Sequence, residues 1–228
     1  MLTKLHLYEE VLLLALKDRE GTVYATSPYQ YALAGAIVAE LLLGNRIGLS
    51  DPKKKRITLK DATPFSDPIL DECLERIQKA KRRASLQSWV SRFSGLKRLK
   101  HRAAEQLCRR GVLRTDEGQI LLIFKRKVYP EIDHGPETEI TERLRQAIFT
   151  DREDLDPQTV VLVALANHAD LLNKHFDKKE LKGRKKRIKQ ITEGDAVGDA
   201  TKDAITAMQA AVVAAAVIPA VITTSTGH

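Results

Sequence analysis

Lys97, Lys100 and His101, within SGLKRLKHRAAEQLCRRGVL at 94–113, have the types and the spacing that can hold a phosphate group. The pattern predicts a cationic helix over 96–110 ended by Gly111, and these three side chains fall on one face of it. The helix follows a Ser94-Gly95 break, so its first backbone N–H groups are expected to lack a side-chain acceptor. Such a start draws an anion through the N–H groups and the helix dipole, and flexible cationic tips complete the neutralisation. The same spacing also fits a plain solvated basic face. Spacing alone does not choose between the two.

Reaction chemistry finds no comparable grouping. There is no Gly-rich phosphate loop, GxSxG elbow, HExxH pair or cysteine metal spacing, so no catalytic residue, metal ion or cofactor is expected. His168 and His175 are expected to line a polar seam between helices. Glu9 and Glu10, as neighbours on a helix, point about 100° apart, which suits dipole partners better than an acid–base pair. Cys73 and Cys108 sit in helical patterns and read as reduced, small apolar residues rather than a disulfide.

The composition agrees with a binding role. The 228 residues are 43% hydrophobic, enough for a sizeable core, and a single domain over 1–228 is expected. Lys and Arg outnumber Asp and Glu by 38 to 30, for a net charge of +8, which favours polyanionic partners: phospholipid headgroups, nucleic acid or acidic protein surfaces. The first residues alternate polar and apolar without a signal-peptide core, so a cytoplasmic location is expected. Residues 204–223 are nearly uncharged and long enough to span a bilayer, but alanine dominates them and Pro219 interrupts them. They are expected to form a packed last helix rather than an anchor.

Several elements must position these cations. LYEEVLLLALKDREG at 7–21 predicts a helix opened by acids, closed by Gly21 and apolar nearly all round, hence buried. A second helix is expected at 33–43, where small residues permit close approach. A hairpin at 47–59 carries Lys53, Lys54, Lys55 and Arg56 near its tip. Helices follow at 67–83 and 85–93. Residues 112–128 read as a strand pair turning at Asp116-Glu117-Gly118 and ending in Lys125, Arg126 and Lys127. Further helices are expected at 139–149 and 155–172, followed by a basic stretch at 174–190. The fold class is mainly α: a single-domain helical bundle with buried central helices at 8–16, 33–43, 158–172 and 203–218, and one or two small β-hairpins.

The wording of the chain carries a family resemblance. LYEEVLLLALKDREG, LAGAIVAELLLGNRI at 33–47, QSWVSRFSG at 87–95, AAEQLCRRGVL at 103–113, ILLIF at 120–124, ALANHADLL at 164–172 and AAVVAA at 210–215 resemble, in order, the Golgi phosphoprotein 3 family. That resemblance implies a peripheral membrane protein that binds phosphatidylinositol 4-phosphate. It implies a pocket of one tryptophan and three arginines. Two of the arginines fall on Lys97 and Lys100, the third on Ala34, and the tryptophan near Tyr24 or Ala25. Charge is kept at the two lysines, the bidentate fork is not, and half of the pocket is missing. Trp89 becomes a core aromatic. The hairpin matching 116–127 is implied to support oligomerisation and membrane contact. Eukaryotic members carry a basic N-terminal arm, whereas this sequence starts at the first helix and reads as a minimal, bacterial version.

Together these features predict a protein without catalysis that recognises anionic, phosphatidylinositol 4-phosphate-like headgroups. Lys97, Lys100 and His101 would hold the phosphate with Tyr24 at its flank. Lys53 to Arg56, Lys125 to Lys127 and Lys185 to Arg187 would widen the membrane footprint. An adaptor for the cytoplasmic tails of membrane enzymes and a homo-oligomer through 112–128 are further expectations. The alternative is a nucleic-acid module, helix 96–110 with the following hairpin as a wing. No stacking aromatics interleave with the cations, so no nucleic acid is expected.

Overall fold

The computed structural model describes residues 4–24, 28–50, 56–120 and 124–193. Lys53, Lys54, Lys55, Ala25 and the 204–223 segment lie outside them, and the side chains at 118–120 and 124–126 are likewise not described.

Helix α1, Leu7–Ala15, is buried along its entire length, Glu9 and Glu10 included. Its start is held by reciprocal contacts: the Glu9 carboxylate accepts from the His6 N–H at 2.9 Å, and Glu40 accepts from the Leu7 N–H at 2.8 Å and lies 3.1 Å from His6 Nδ1. Burial works against the His6 imidazolium, but Glu40, with Asp67 and Glu9 behind it, outweighs this and raises its pKa. The helix stops at Ala15, earlier than the expected Gly21. Leu16–Lys17 (β1) instead pairs antiparallel with Thr22–Val23 (β2), so Gly21 turns a hairpin at φ +59°. Lys17 and Arg19 therefore lie in the hairpin, beyond the end of α1.

Helix α2, Tyr29–Leu43, lies against α1 and buries Ala32, Ala34, Gly35, Ala36 and Ala39, whose small size lets the two backbones approach. Tyr29 and Tyr31 begin this helix instead of belonging to a loop. The expected hairpin is present as β3 (Ile47–Leu49) and β4 (Ile57–Leu59), paired antiparallel with Ile47 opposite Leu59. Helix α3, Pro68–Gln78, is capped by Asp67, which accepts from the N–H groups of Ile69 and Leu70. It ends at Gln78, short of the expected Arg83. Helix α4, Leu86–Ser94, is capped by Ser85 and buries Trp89 against Phe93, as expected of a core aromatic.

Helix α5 spans Leu99–Arg109, starting later than 96. Strands β5 (Asp116–Ile120) and β6 (Phe124–Val128) form the third two-stranded sheet. Asp116 to Gly118 are strand residues rather than the turn, and Leu113 bridges to Glu131 outside the ladder. Helix α6 is Gly135–Phe149, and α7, Pro157–His168, buries every residue from Thr159 to Ala166. The expected run to Leu172 breaks at Asp170, whose φ of +58° is not helical. The basic stretch then folds as α8 (Leu172–His175), α9 (Lys178–Gly183) and α10 (Lys185–Glu193). Among the described residues, then, the chain is mainly helical with three small antiparallel hairpins, and α1, α2 and α7 form the buried centre. No helix among the described residues is long and apolar enough to cross a membrane. Cys73 is buried, Cys108 is half-buried, and both are free thiols.

Two buried charges of α1 are answered from distant elements. Glu9 Oε1 lies 3.2 Å from Arg110 Nε just past α5, and Arg143 of α6 donates to Glu10 at 2.8 Å. Burial nevertheless pushes the Glu10 carboxyl up to about 7, with Arg143 opposing it. The folded chain therefore keeps this proton between about pH 4.5 and 7 while the unfolded chain releases it, and stability falls as pH rises through that window. Glu10→Gln should gain up to about 3 kcal/mol relative to the native chain between pH 4.5 and pH 8 in urea titrations; a difference independent of pH would refute the assignment.

Gly21 faces a tighter constraint. A Cβ there would stand 2.3 Å from Pro130 N, in a backbone conformation that L side chains avoid. Gly21→Ala should cost about 2 kcal/mol or more, read from the urea midpoint, and a neutral outcome would mean that this turn is not clamped.

Candidate functional site

The cationic site forms where α4 passes into α5. Gly95 ends α4, and Leu96 and Leu99 both turn inward, being 6% and 5% exposed. Between them Arg98 adopts the left-handed conformation at φ +58°, which breaks the helical path from α4 into α5. Lys97 therefore sits on an exposed turn ahead of the helix, not on its face, while Lys100 and His101 occupy the first turn of α5. No side chain caps this helix start. Lys97 makes no ion pair among the described residues, whereas Arg98 pairs with Glu105 at 3.2 Å.

His101 is anchored. Its Nδ1 lies 2.9 Å from the Tyr129 hydroxyl, and the Tyr129 N–H donates to Gly21 O at 2.9 Å, which ties α5 to the β1–β2 hairpin. Burial lowers the His101 pKa, and Lys100 and Arg98 lower it further, so the ring is neutral at pH 7. Burial pushes the Tyr129 hydroxyl up to about 12, so it keeps its hydrogen for this contact. Lys127 reaches the same neighbourhood from β6, 3.7 Å from Glu105. Arg98, Lys127 and Glu105 thus join the hairpin to the start of α5.

The remaining predicted residues lie in other surroundings. Tyr24 is half-buried and follows β2, with the Lys174 ammonium 5.5 Å above its ring. Burial raises its pKa, then Asp18 and Glu137 raise it further, and none of the charges around it belongs to the set around His101. Ala34, at the family's third arginine position, is fully buried in α2. Arg56 bridges to Ser85 at the start of α4. Lys125 and Arg126 stand opposite Gln119 and Gly118 in the β5–β6 ladder. On α10, Lys185 and Lys186 are exposed, but Arg187 is spent on backbone carbonyls of Ala147 and Arg152. His175 donates from Nε2 to Leu14 O at 2.8 Å, which is the expected polar seam, but His168 is exposed and bonds to Ala164 O within its own helix, so it does not line that seam. A cleft of about 640 Å³ beside α6 contains Lys4, Glu10, Glu139 and Arg143 and none of the predicted residues.

Arg98 and Tyr129 were missed by the sequence reading. Arg98 had no signal, because its position depends on a left-handed turn. Tyr129 follows the basic strand directly, and its aromatic-proline pair with Pro130 marked a chain exit worth weighing.

A buried three-helix centre with a basic, uncapped helix start beside a basic hairpin defines a scaffold suited to binding anions at its surface. The sequence profile of the Golgi phosphoprotein 3 (GPP34) family matches residues 7–208, and the chain belongs to that family. It is 29% identical over 196 residues to the vacuolar protein sorting-associated protein 74 of Eremothecium gossypii, an alignment that covers 75% of this chain and 59% of that protein. The chain thus spans about three-fifths of the length of the curated relative it matches.

The electrostatic account of the site has a direct check. In an NMR titration His101 should titrate below the ordinary 6.5, and Lys100→Ala should move it upward; an unmoved value would remove Lys100 from its vicinity.

Proposed function

We propose that this chain is a peripheral membrane protein that binds anionic phospholipid headgroups, phosphatidylinositol 4-phosphate-like, at the start of α5. The supporting observation is the uncapped first turn of α5 with Lys97 exposed ahead of it and Lys100 within it. A phosphate there would accept backbone N–H groups aligned with the helix dipole while the two ammonium groups neutralise it. Membership of the Golgi phosphoprotein 3 family supports the same class of ligand. Lysine in place of arginine supplies point charge without a planar fork, and Ala34 supplies no donor from α2. The reading is therefore of a headgroup held by charge more than by fixed geometry.

His101, neutral and tied to Tyr129, is a hydrogen-bonding wall of the pocket in this reading, and Tyr24, set in other surroundings, takes no part in it. Lys53 to Arg56 and Lys125 to Lys127 would add positive charge to the membrane contact, each cation worth about 1 kcal/mol against an anionic leaflet. No catalytic step belongs to this function. Its place is the cytoplasmic surface of a membrane, where the chain would serve as an adaptor for cytoplasmic tails of membrane enzymes and self-associate through 112–128.

Vesicle flotation tests the reading. Binding to phosphatidylcholine vesicles carrying phosphatidylinositol 4-phosphate should fall roughly 30-fold in Lys97→Ala/Lys100→Ala, about 2 kcal/mol for two cations. Vesicles with phosphatidylserine at matched charge report how much is pure charge. Unchanged binding in the double variant rejects the site. A duplex that binds more tightly than the vesicles, with a steep salt dependence, would favour the nucleic-acid alternative.

A further inference from the structure

Three separate stretches of chain meet beside the β1–β2 hairpin. Asp18 sits in the hairpin turn, Glu131 follows β6, and His134 and Glu137 stand at the cap and in the first turn of α6. One ligating atom from each of the four lies within 4.8 Å of the other three. The arrangement is held from behind: the Glu131 N–H donates to Asp18 O at 2.9 Å, and Glu131 Oε2 lies 2.9 Å from His134 Nδ1. No lysine or arginine forms an ion pair with any of the four among the described residues.

Exposed acidic groups often gather without a ligand, but Glu131 is not exposed. Its side chain is only 3% accessible, and its Oε1 is buried with no hydrogen-bond partner. Leaving a carboxylate oxygen in that state costs free energy that a native fold rarely spends without return. We infer that Asp18, Glu131, His134 and Glu137 form a binding site for one divalent transition-metal ion, of the class of Zn²⁺ or Mn²⁺.

The donor set selects that class. Three carboxylate oxygens and one imidazole nitrogen suit borderline cations, whereas Ca²⁺ and Mg²⁺ prefer oxygen alone. Bonds of about 2.1 Å place ligands at most about 4.2 Å apart, so closing on an ion requires shifts of less than about 1 Å from the present spacing. Access and support are both present. Asp18 and the largely exposed His134 form the mouth, while Glu131 and Glu137 form the floor. Behind Glu137, His175 Nδ1 stands 3.4 Å from its carboxylate, and that ring is oriented by its bond to Leu14 O. The alternative occupant is a proton: burial and the adjacent Glu131 push the Glu137 carboxyl up to about 8. A bound cation takes the same place and fastens the hairpin to α6. The sequence reading expected no metal because it looked for paired histidines and cysteines, yet Glu131-x-x-His134-x-x-Glu137 was legible as a local repeat of ligand types.

Calorimetric titration of the full chain, stripped with chelator and then freed of it, tests the inference without reference to lipid. Zn²⁺ and Mn²⁺ should each bind at one ion per chain in the micromolar range, and bound Mn²⁺ should lose its free-ion electron paramagnetic resonance signal. Glu131→Gln and the surface variant His134→Ala should each weaken binding by about 10–100-fold. His134→Ala keeps the test decisive if the buried variant fails to fold. Absence of binding by both ions overturns the inference, and so does equal affinity in His134→Ala and the native chain, which would mean adventitious surface binding. Ca²⁺ binding as tightly as Zn²⁺ would overturn the assigned class.

Discussion

A helix with no solvent-facing side must satisfy its polar atoms from inside the protein, and α1 is such a helix. Burying its four leucines, Val11 and Tyr8 supplies on the order of 10 kcal/mol, against several kcal/mol for each carboxylate removed from water. The apolar gain is sufficient only if the charges are paired, which fixes what may pack around it. Glu40 of α2 takes the first N–H, and Asp67 at the cap of α3 accepts the Tyr8 hydroxyl at 2.7 Å. Gln106 of α5 donates to the same hydroxyl at 2.6 Å, Arg110 stands by Glu9, and Arg143 of α6 donates to Glu10. Each bond sets the position of one neighbour, so registry among these helices follows from the polar needs of a single one.

The proposed anion site and the acidic cluster of Asp18, Glu131, His134 and Glu137 sit at the edges of that frame. Holding Gln106 against Tyr8 buries Leu99, Ala103 and Leu107, which leaves the first turn of α5 to break from α4 through a left-handed Arg98. The break strips the helix of a cap and sets Lys97 in solvent. On the other side, Gly21 admits the 129–131 segment against the hairpin at backbone distance. The same approach carries Glu131 beside Asp18, and His101 to Tyr129. One glycine therefore governs the distance between two chemically opposite surfaces.

Much of the frame was legible in the sequence because its signals are local. The apolar wrap of α1, the small residues of α2, and the helical spacing after 67, 85 and 155 each predicted an element that is present. The errors fall where a tertiary contact decides a boundary. Continuous helix over 7–21 was reasonable from periodicity, but Gly21 is claimed by Tyr129, over a hundred residues later. Asp116 to Gly118 have turn composition, yet pairing with Arg126 to Val128 makes them strand. For the candidate site, charge and spacing pointed to Lys97, Lys100 and His101 on one helical face, while the placement of Lys97 ahead of α5 and the contacts of Arg98 and Tyr129 required the fold. The pairing of Glu9 and Glu10 with arginines far along the chain left no trace in spacing, because nothing in a one-dimensional pattern relates residue 10 to residue 143.

The bond from His175 to Leu14 O joins residues 161 positions apart, and it completes the enclosure of α1. At about 5–20 residues per second, a ribosome needs on the order of ten seconds to travel between them. Throughout that interval a helix that is buried along its whole length in the folded protein has emerged but lacks its walls. The enclosure of α1 therefore waits until residue 175 has been made, and holdase chaperones have a defined target in Leu7–Ala15.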